Sequence, residues 1–286
     1  MINETDTLFA DITPRRLSVS DIRISSKIYD GGHSADVIDS GYLDLTKVLE
    51  GDSVSHRIDS VYFIDKSAGD VKAVYVSQSL VGTDSGLYMI DDTIVCSRIL
   101  RKNLSVSGVS VNLAKEYDGE SVAEVINVGV LSGLADGDTV ELSAEAFYTQ
   151  SDADTSLDII VEFNLSGPQA DCYSIDTSVV FSNASISPRE LFLVDFQMDS
   201  VKVYDGTVNA PTIRNNGHLS GIVQMDAVDS ISARFRDENV GVRKMVDVKV
   251  YFNPIYSNNY FVRDTILYAT ILPRVVEVDS AVVEVC

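Results

Sequence analysis

At 286 residues the chain can hold one large domain or several small ones, and 45% hydrophobic with 23% charged residues excludes a disordered tail. Forty-three acidic against 22 basic residues give a formal net charge of −21, which repels nucleic acid and anionic membranes. Three cysteines, Cys96, Cys172 and Cys286, are odd in number and scattered in position, which fits neither a disulfide framework nor zinc-ligand spacing.

The chain opens on Met1-Ile2-Asn3-Glu4-Thr5-Asp6, without the basic and apolar regions of a secretory signal, and no run of about 18 apolar residues follows anywhere. Residues 7–12 read as the closing strand of a preceding module. Ile12-Thr13-Pro14-Arg15 then suits a strand end passing into a connection, because proline fixes φ and removes a backbone donor. Leu17-Ser18-Val19-Ser20 alternates at period 2, as a half-buried strand does. Tyr29-Asp30-Gly31 reads as a turn, with glycine taking φ > 0 and tyrosine packing beside it. Further on come Gly51-Asp52-Ser53-Val54, the turn segment 64–69, the strand Val74-Tyr75-Val76 and Ser85-Gly86-Leu87-Tyr88.

Then the series begins again. Ile99-Leu100-Arg101 stands where Ile12-Thr13-Pro14-Arg15 stood, and Leu104-Ser105-Val106-Ser107 repeats the strand. Tyr117-Asp118-Gly119 lies 88 residues after the first such tripeptide, and Tyr204-Asp205-Gly206 another 87 on. Residues 122–126 are expected to form one short helical turn. Leu131-Ser132-Gly133-Leu134 leads into Gly137-Asp138-Thr139-Val140, and the counterpart of Asp138 in the third copy is Asp226. The acidic stretch 150–155 stands opposite 64–69 and Asp237-Glu238-Asn239-Val240-Gly241. Cys172-Tyr173 and Asn259-Tyr260 match Leu87-Tyr88, and Ile186-Ser187-Pro188-Arg189 and Ile271-Leu272-Pro273-Arg274 close the second and third copies. The strand signals at 157–163, 246–252 and 275–285 complete the pass.

Self-similarity at a fixed period is the mark of a tandem array. The spacing divides the chain into an N-terminal strand or arm (1–15), modules at 16–102, 103–189 and 190–274, and a C-terminal strand or arm (275–286). Several short strands per module, separated by turn residues, predict an all-β protein of three small antiparallel β-sandwich (Ig-like) modules, with mostly-β grasp-like modules as the alternative.

Together, Tyr-Asp-Gly, Leu-Ser-Gly-Leu with Gly-Asp-Thr-Val, Asp-Glu-Asn-Val-Gly, Asn-Tyr and Ile-x-Pro resemble the YDG-type repeat of bacterial surface adhesins, including filamentous-haemagglutinin-like proteins. The resemblance spans nearly the whole chain in three diverged copies. It implies stalk or display modules and brings no catalytic residues.

Asp136 with Asp138, and Asp152 with Asp154, present carboxylates at alternate positions and are the calcium candidates, although Asp52 and Asp226 occupy the position of Asp138 without a second carboxylate. His33, His56 and His218 accompany no nucleophile, zinc or phosphate-loop motif, so neither enzymatic activity nor a cofactor is expected. Arg234, Arg236, Arg243 and Lys244 gather in the third module as a candidate docking surface for an acidic partner. The three Tyr-Asp-Gly turns read as structural repeats: a turn must be rebuilt in every copy, whereas a binding site need not be.

The expectation is a non-enzymatic structural or display protein, first of all a phage virion component (capsid decoration, head fibre or tail accessory). A bacterial cell-surface adhesin and a carbohydrate-binding array are the alternatives. Its partners are then other protein subunits of a large assembly, further copies of itself through the terminal strands, or a host surface glycan.

Overall fold

The computed structural model describes residues 11–175, 178–223 and 226–277. Among these residues the protein is all-β, with three short 3-10 turns at Leu45–Lys47, Ser85–Leu87 and Ala170–Cys172 and no α-helix. Among the described residues no helix is long and apolar enough to cross a membrane. The sequence explains this: β-branched and aromatic residues are frequent along the long segments, and in several, such as residues 246–252, they alternate with polar ones, which suits a pleated, half-buried surface.

The third repeat shows the plan. Arg189–Met198 pairs first in parallel with Tyr260–Val262, then antiparallel with Ile213–Ser220. The chain next enters Val201–Val203, which lies parallel to Thr265–Leu272 at the edge of a second sheet. That sheet continues antiparallel through Gly241–Phe252 to Val228–Phe235. Its Ala233, Phe235, Val246, Val248, Ala269 and Ile271 pack against Leu193, Phe196, Met198 and Ile213 of the first sheet, forming a sandwich core.

The other repeats follow it. In the first, Lys27–Ile28 runs parallel to Thr93–Leu100, beside the antiparallel strands Gly69–Val81 and Ser55–Phe63. In the second, Ala114–Glu116 runs parallel to Val179–Ser187, which pairs antiparallel with Asp154–Ser166. Each sandwich is thus antiparallel with a parallel edge, because the opening strand belongs to both sheets. The helical turn expected at 122–126 is not formed. Val122–Ala123 pairs with Phe147 and Ala146, and Val125–Asn127 is a second short strand, as three β-branched residues in this stretch favour.

A kink lets the opening strand change sheets. Asp21 (φ 59°), Gly108 (φ 75°) and Asp195 (φ 61°) take the left-handed conformation at this point in the three repeats. The neighbouring strand answers with Gly41, Gly129 and Gly217, also at positive φ. A Cβ on Gly41 would lie 2.2 Å from the Ser20 carbonyl oxygen, and one on Gly217 would lie 2.4 Å from that of Val194. Only glycine permits that approach. The carboxylate or amide oxygen two residues earlier, on Asp39, Asn127 or Asn215, accepts from each glycine N–H at 2.9 Å.

The residues form two compact units. One comprises Met1–Ser110, Asn127–Ala144 and Phe163–Ser178; the other comprises Val111–Ile126, Glu145–Glu162 and Val179–Cys286. The second repeat divides between them. In the first unit a single buried cluster joins Ile24, Phe63, Val74, Val76 and Ile99 of the first repeat to Leu104, Ala135, Cys172 and Tyr173 of the second. The first two repeats therefore share a core at the point where the sequence suggested a boundary.

Candidate functional site

Each Tyr-Asp-Gly is a locked turn. The Asp30 carboxylate accepts from Gly32 N–H (2.9 Å), Asp118 from Glu120 N–H (2.9 Å) and Asp205 from Thr207 N–H (2.9 Å). The glycines follow at φ 77°, 85° and 74°. A lysine two residues before the tyrosine closes the loop from inside. Lys27 Nζ donates to Asp30 (2.7 Å) and the Gly32 carbonyl (2.8 Å). Lys115 Nζ donates to Asp118 and the Glu120 carbonyl, both at 2.6 Å. Lys202 Nζ donates to Asp205 (2.8 Å) and to the carbonyls of Thr207 (2.7 Å) and Asn209 (2.9 Å). The three ammonium groups lie 5.7, 5.6 and 5.6 Å from the ring centres of Phe63, Tyr148 and Phe235. Hydrogen bonding from Lys27 lowers the pKa of Asp30. Burial opposes the same effect at Asp118 without reversing it, and Lys202 with the Thr207 amide holds Asp205 down to about 2.

Sequence reasoning missed these lysines, yet Lys27, Lys115 and Lys202 keep the tripeptide's own intervals. The motif is Lys-x-Tyr-Asp-Gly.

The tyrosines of the first two turns leave their own repeat. Tyr29 donates its hydroxyl to Asp138 Oδ2 (2.8 Å), which also accepts from Tyr173 (2.6 Å). The Tyr173 oxygen in turn accepts from Ala135 N–H (2.9 Å). The two rings meet edge to face at 5.4 Å and 84°. In the second unit Tyr117 donates to Asp226 Oδ2 (3.0 Å), Tyr260 donates to the same oxygen, and Val223 N–H donates to the Tyr260 oxygen (3.0 Å). Those rings stand 5.4 Å apart at 86°. The glycine of the turn sits against the same wall: a Cβ on Gly31 would be 3.4 Å from Ala135 Cβ, and one on Gly119 would be 2.9 Å from Val223 Cγ1. The next hairpin adds a contact. Ala153 N–H donates to Asn259 Oδ1 (2.8 Å) and Asn259 Nδ2 to Asp152 (2.9 Å). At the equivalent place Ala68 N–H meets Cys172 Sγ at 3.4 Å. Burial first, and the facing carboxylate second, push Tyr117 and Tyr173 up to about 12 and raise Tyr29 and Tyr260 further still.

The model of a family described as YDG domain matches residues 13–95, 100–180 and 188–266. The chain belongs to the YDG domain family. No curated protein and no solved structure matches it.

Among the described residues, two elements of the YDG junction stand unmatched. The first YDG domain has the socket: Tyr88 donates to Asp52 Oδ2 (2.6 Å) and accepts from Leu49 N–H (2.9 Å). Around it an open cavity of about 300 Å³ is lined by Leu49, Asp52, Gly86, Leu87 and Tyr88 together with residues 12–15. The third YDG domain has the turn. Tyr204 is 39% exposed, whereas Tyr29 and Tyr117 are 2% and 4% exposed.

The calcium candidates have other work. Asp138 accepts two tyrosine hydroxyls, Asp152 accepts from Asn259, and Asp154 accepts from Gln150 Nε2 (3.1 Å) and Thr155 N–H (2.7 Å). Asp136 and Asp138 belong to one compact unit, Asp152 and Asp154 to the other. Among the described residues no group of three or more His, Cys, Asp or Glu is placed to hold a metal. Asp138 and Asp152 thus serve contacts between repeats, and Asp154 serves its own hairpin.

The basic group of the third domain is also largely engaged. Arg236 pairs with Asp247 (3.0 Å), and Lys244 pairs with Asp237 at the tip of its hairpin, as Lys72 does with Asp65. Arg243 lies over the Tyr268 ring at 5.2 Å, and Arg234 bridges to Asn209 through the backbone. Arg236 and Lys244 are thus paired with carboxylates, while Arg234 and Arg243 lie exposed on the sheet. Of the expected terminal strands, residues 1–10 and 278–286 lie outside the described residues, and 275–277 form no strand.

Proposed function

We propose that this protein is a non-enzymatic structural spacer or display protein. One observation carries this reading: the lysine, tyrosine and aspartates that recur around Tyr-Asp-Gly are engaged by the turn and, at the two internal junctions, by the contact between repeats. The lysine and aspartate of each turn satisfy each other and nearby backbone groups, and the conserved geometry of the two internal junctions fixes one repeat on the next. Such an arrangement supplies extension and spacing, and charged groups saturated in this way are poor candidates for acid–base work.

The large assembly we propose for it is a phage virion, as a capsid decoration, head fibre or tail accessory protein. Small acidic sandwich modules in tandem suit a role of repeated presentation without self-aggregation. Immunogold labelling of purified particles and of whole cells tests this. Label in regular arrays on particles supports the virion, label confined to the cell surface supports an adhesin, and label on neither overturns the display reading.

A further inference from the structure

The socket of the first domain and the turn of the third are the two halves of the junction that the chain itself builds twice. In both internal junctions a tyrosine hydroxyl reaches the Oδ2 atom of an aspartate already held by a second tyrosine. The same aspartate and second tyrosine are present, assembled and open, at Asp52 and Tyr88. The same tyrosine is present and half-exposed at Tyr204.

We propose that a second copy of this chain occupies the socket, placing its Tyr204 turn against Asp52 and Tyr88, so that copies join head to tail. The occupant follows from the internal junctions, which show what this socket accepts: a Lys-x-Tyr-Asp-Gly turn in its locked form. The turn is preformed, since Tyr204 N–H is already satisfied by the Leu272 carbonyl (2.8 Å) and Lys202 holds the loop. The glycine leaves room: a Cβ on Gly206 would meet nothing within 4 Å, so this surface is clear for an incoming wall like the one Ala135 and Val223 supply inside the chain.

Differences between junctions are matched on both sides. Where the internal junctions set Ala153 against Asn259 and Ala68 against Cys172, the outer pair is Val240 (48% exposed) and Leu87 (61% exposed). Leu49, in the position of Ala135 and Val223, is also 61% exposed and would be covered by the incoming turn. A hydrogen bond is thus replaced by an apolar pair, and three exposed apolar side chains are buried together.

The contact is heterologous: one copy gives the turn and the other the socket, so association continues into rings or filaments and does not stop at a symmetric dimer. It depends on the junction geometry and not on where the protein is displayed, so label on neither virion nor cell leaves it standing.

Sedimentation velocity of the full chain over a concentration series up to about 1 mM tests it. The wild-type chain is expected to form species beyond the monomer in a concentration-dependent way. Tyr204→Ala and, separately, Asp52→Ala should each weaken association at least about tenfold while the monomer stays folded by circular dichroism. Mixing the two variants should restore a dimer and nothing larger, because each retains one competent end. A wild-type chain that stays monomeric throughout overturns the proposal. So do association that neither substitution weakens and a mixture that fails to pair.

Discussion

Glycine marks the difference between a turn and a turn that docks. Gly119→Ala imposes a left-handed alanine, at roughly 1 kcal/mol, and also drives Cβ to 2.9 Å from Val223 Cγ1. Gly206→Ala imposes only the first of these, since its Cβ meets open space. Denaturant unfolding should therefore show Gly119→Ala to be the more destabilising; equal losses would contradict a tight wall at the second junction. Lys202→Met keeps an apolar side chain beside Phe235 and removes four hydrogen bonds, two of them to backbone carbonyls. A loss of about 2 kcal/mol is expected in the same measurement. The tripeptide was legible in sequence because a turn needs asparagine-like, aspartate or glycine chemistry at fixed places. The lysine was equally periodic, but its role depends on a carboxylate and backbone carbonyls converging on one point, which spacing alone does not reveal.

At the scale of the element, turn and junction titrate at opposite ends of the pH range. Asp205 and Asp65 are held down to about 2, Asp205 by Lys202 and Asp65 by Lys72. Their folded-state values lie below the unfolded ones, so their contribution is complete above about pH 4 and disappears as pH falls toward 2. The tyrosines behave inversely. Tyr117 and Tyr173 are raised to about 12, so the neutral hydroxyls contribute fully below about pH 10, and that contribution is lost as pH climbs from 10 through 12. Thermal midpoints across pH should show a plateau between about 5 and 9 with a fall on each side. In Tyr29→Phe, Tyr117→Phe and their double variant the alkaline fall should shrink while the acid fall stays; an unchanged alkaline limb would argue against the junctions. Strand content was readable from alternation. The parallel edge was not, because it follows from one strand serving two sheets through a kink at Asp21, Gly108 and Asp195, and two of those residues are not glycine.

For the whole molecule, the repeat count was legible and the partition of cores was not. Periodicity counts copies, and the family match finds the same three. Yet Leu104, Ala135 and Tyr173 of the second copy are buried with Phe63 and Ile99 of the first, so contacts across the junction are those of a core. Sequence reading expected Asp138 to be a turn residue or a calcium ligand. It became the acceptor for tyrosines 109 and 35 residues away, a pairing that exists only once the repeats are folded against each other. Repeats joined in this way should unfold with their neighbours, as nearest-neighbour coupling in arrays requires.

At each internal junction a Tyr-Asp-Gly tyrosine couples its repeat to the next through a shared carboxylate. A double-mutant cycle of Tyr117→Phe with Asp226→Ala, read from denaturant unfolding of the full chain, measures that coupling directly. An interaction energy of about 1 kcal/mol or more is predicted, with Asp226→Ala the costlier single change because it strands both Tyr117 and Tyr260 hydroxyls. Strictly additive effects of the two substitutions would contradict the account.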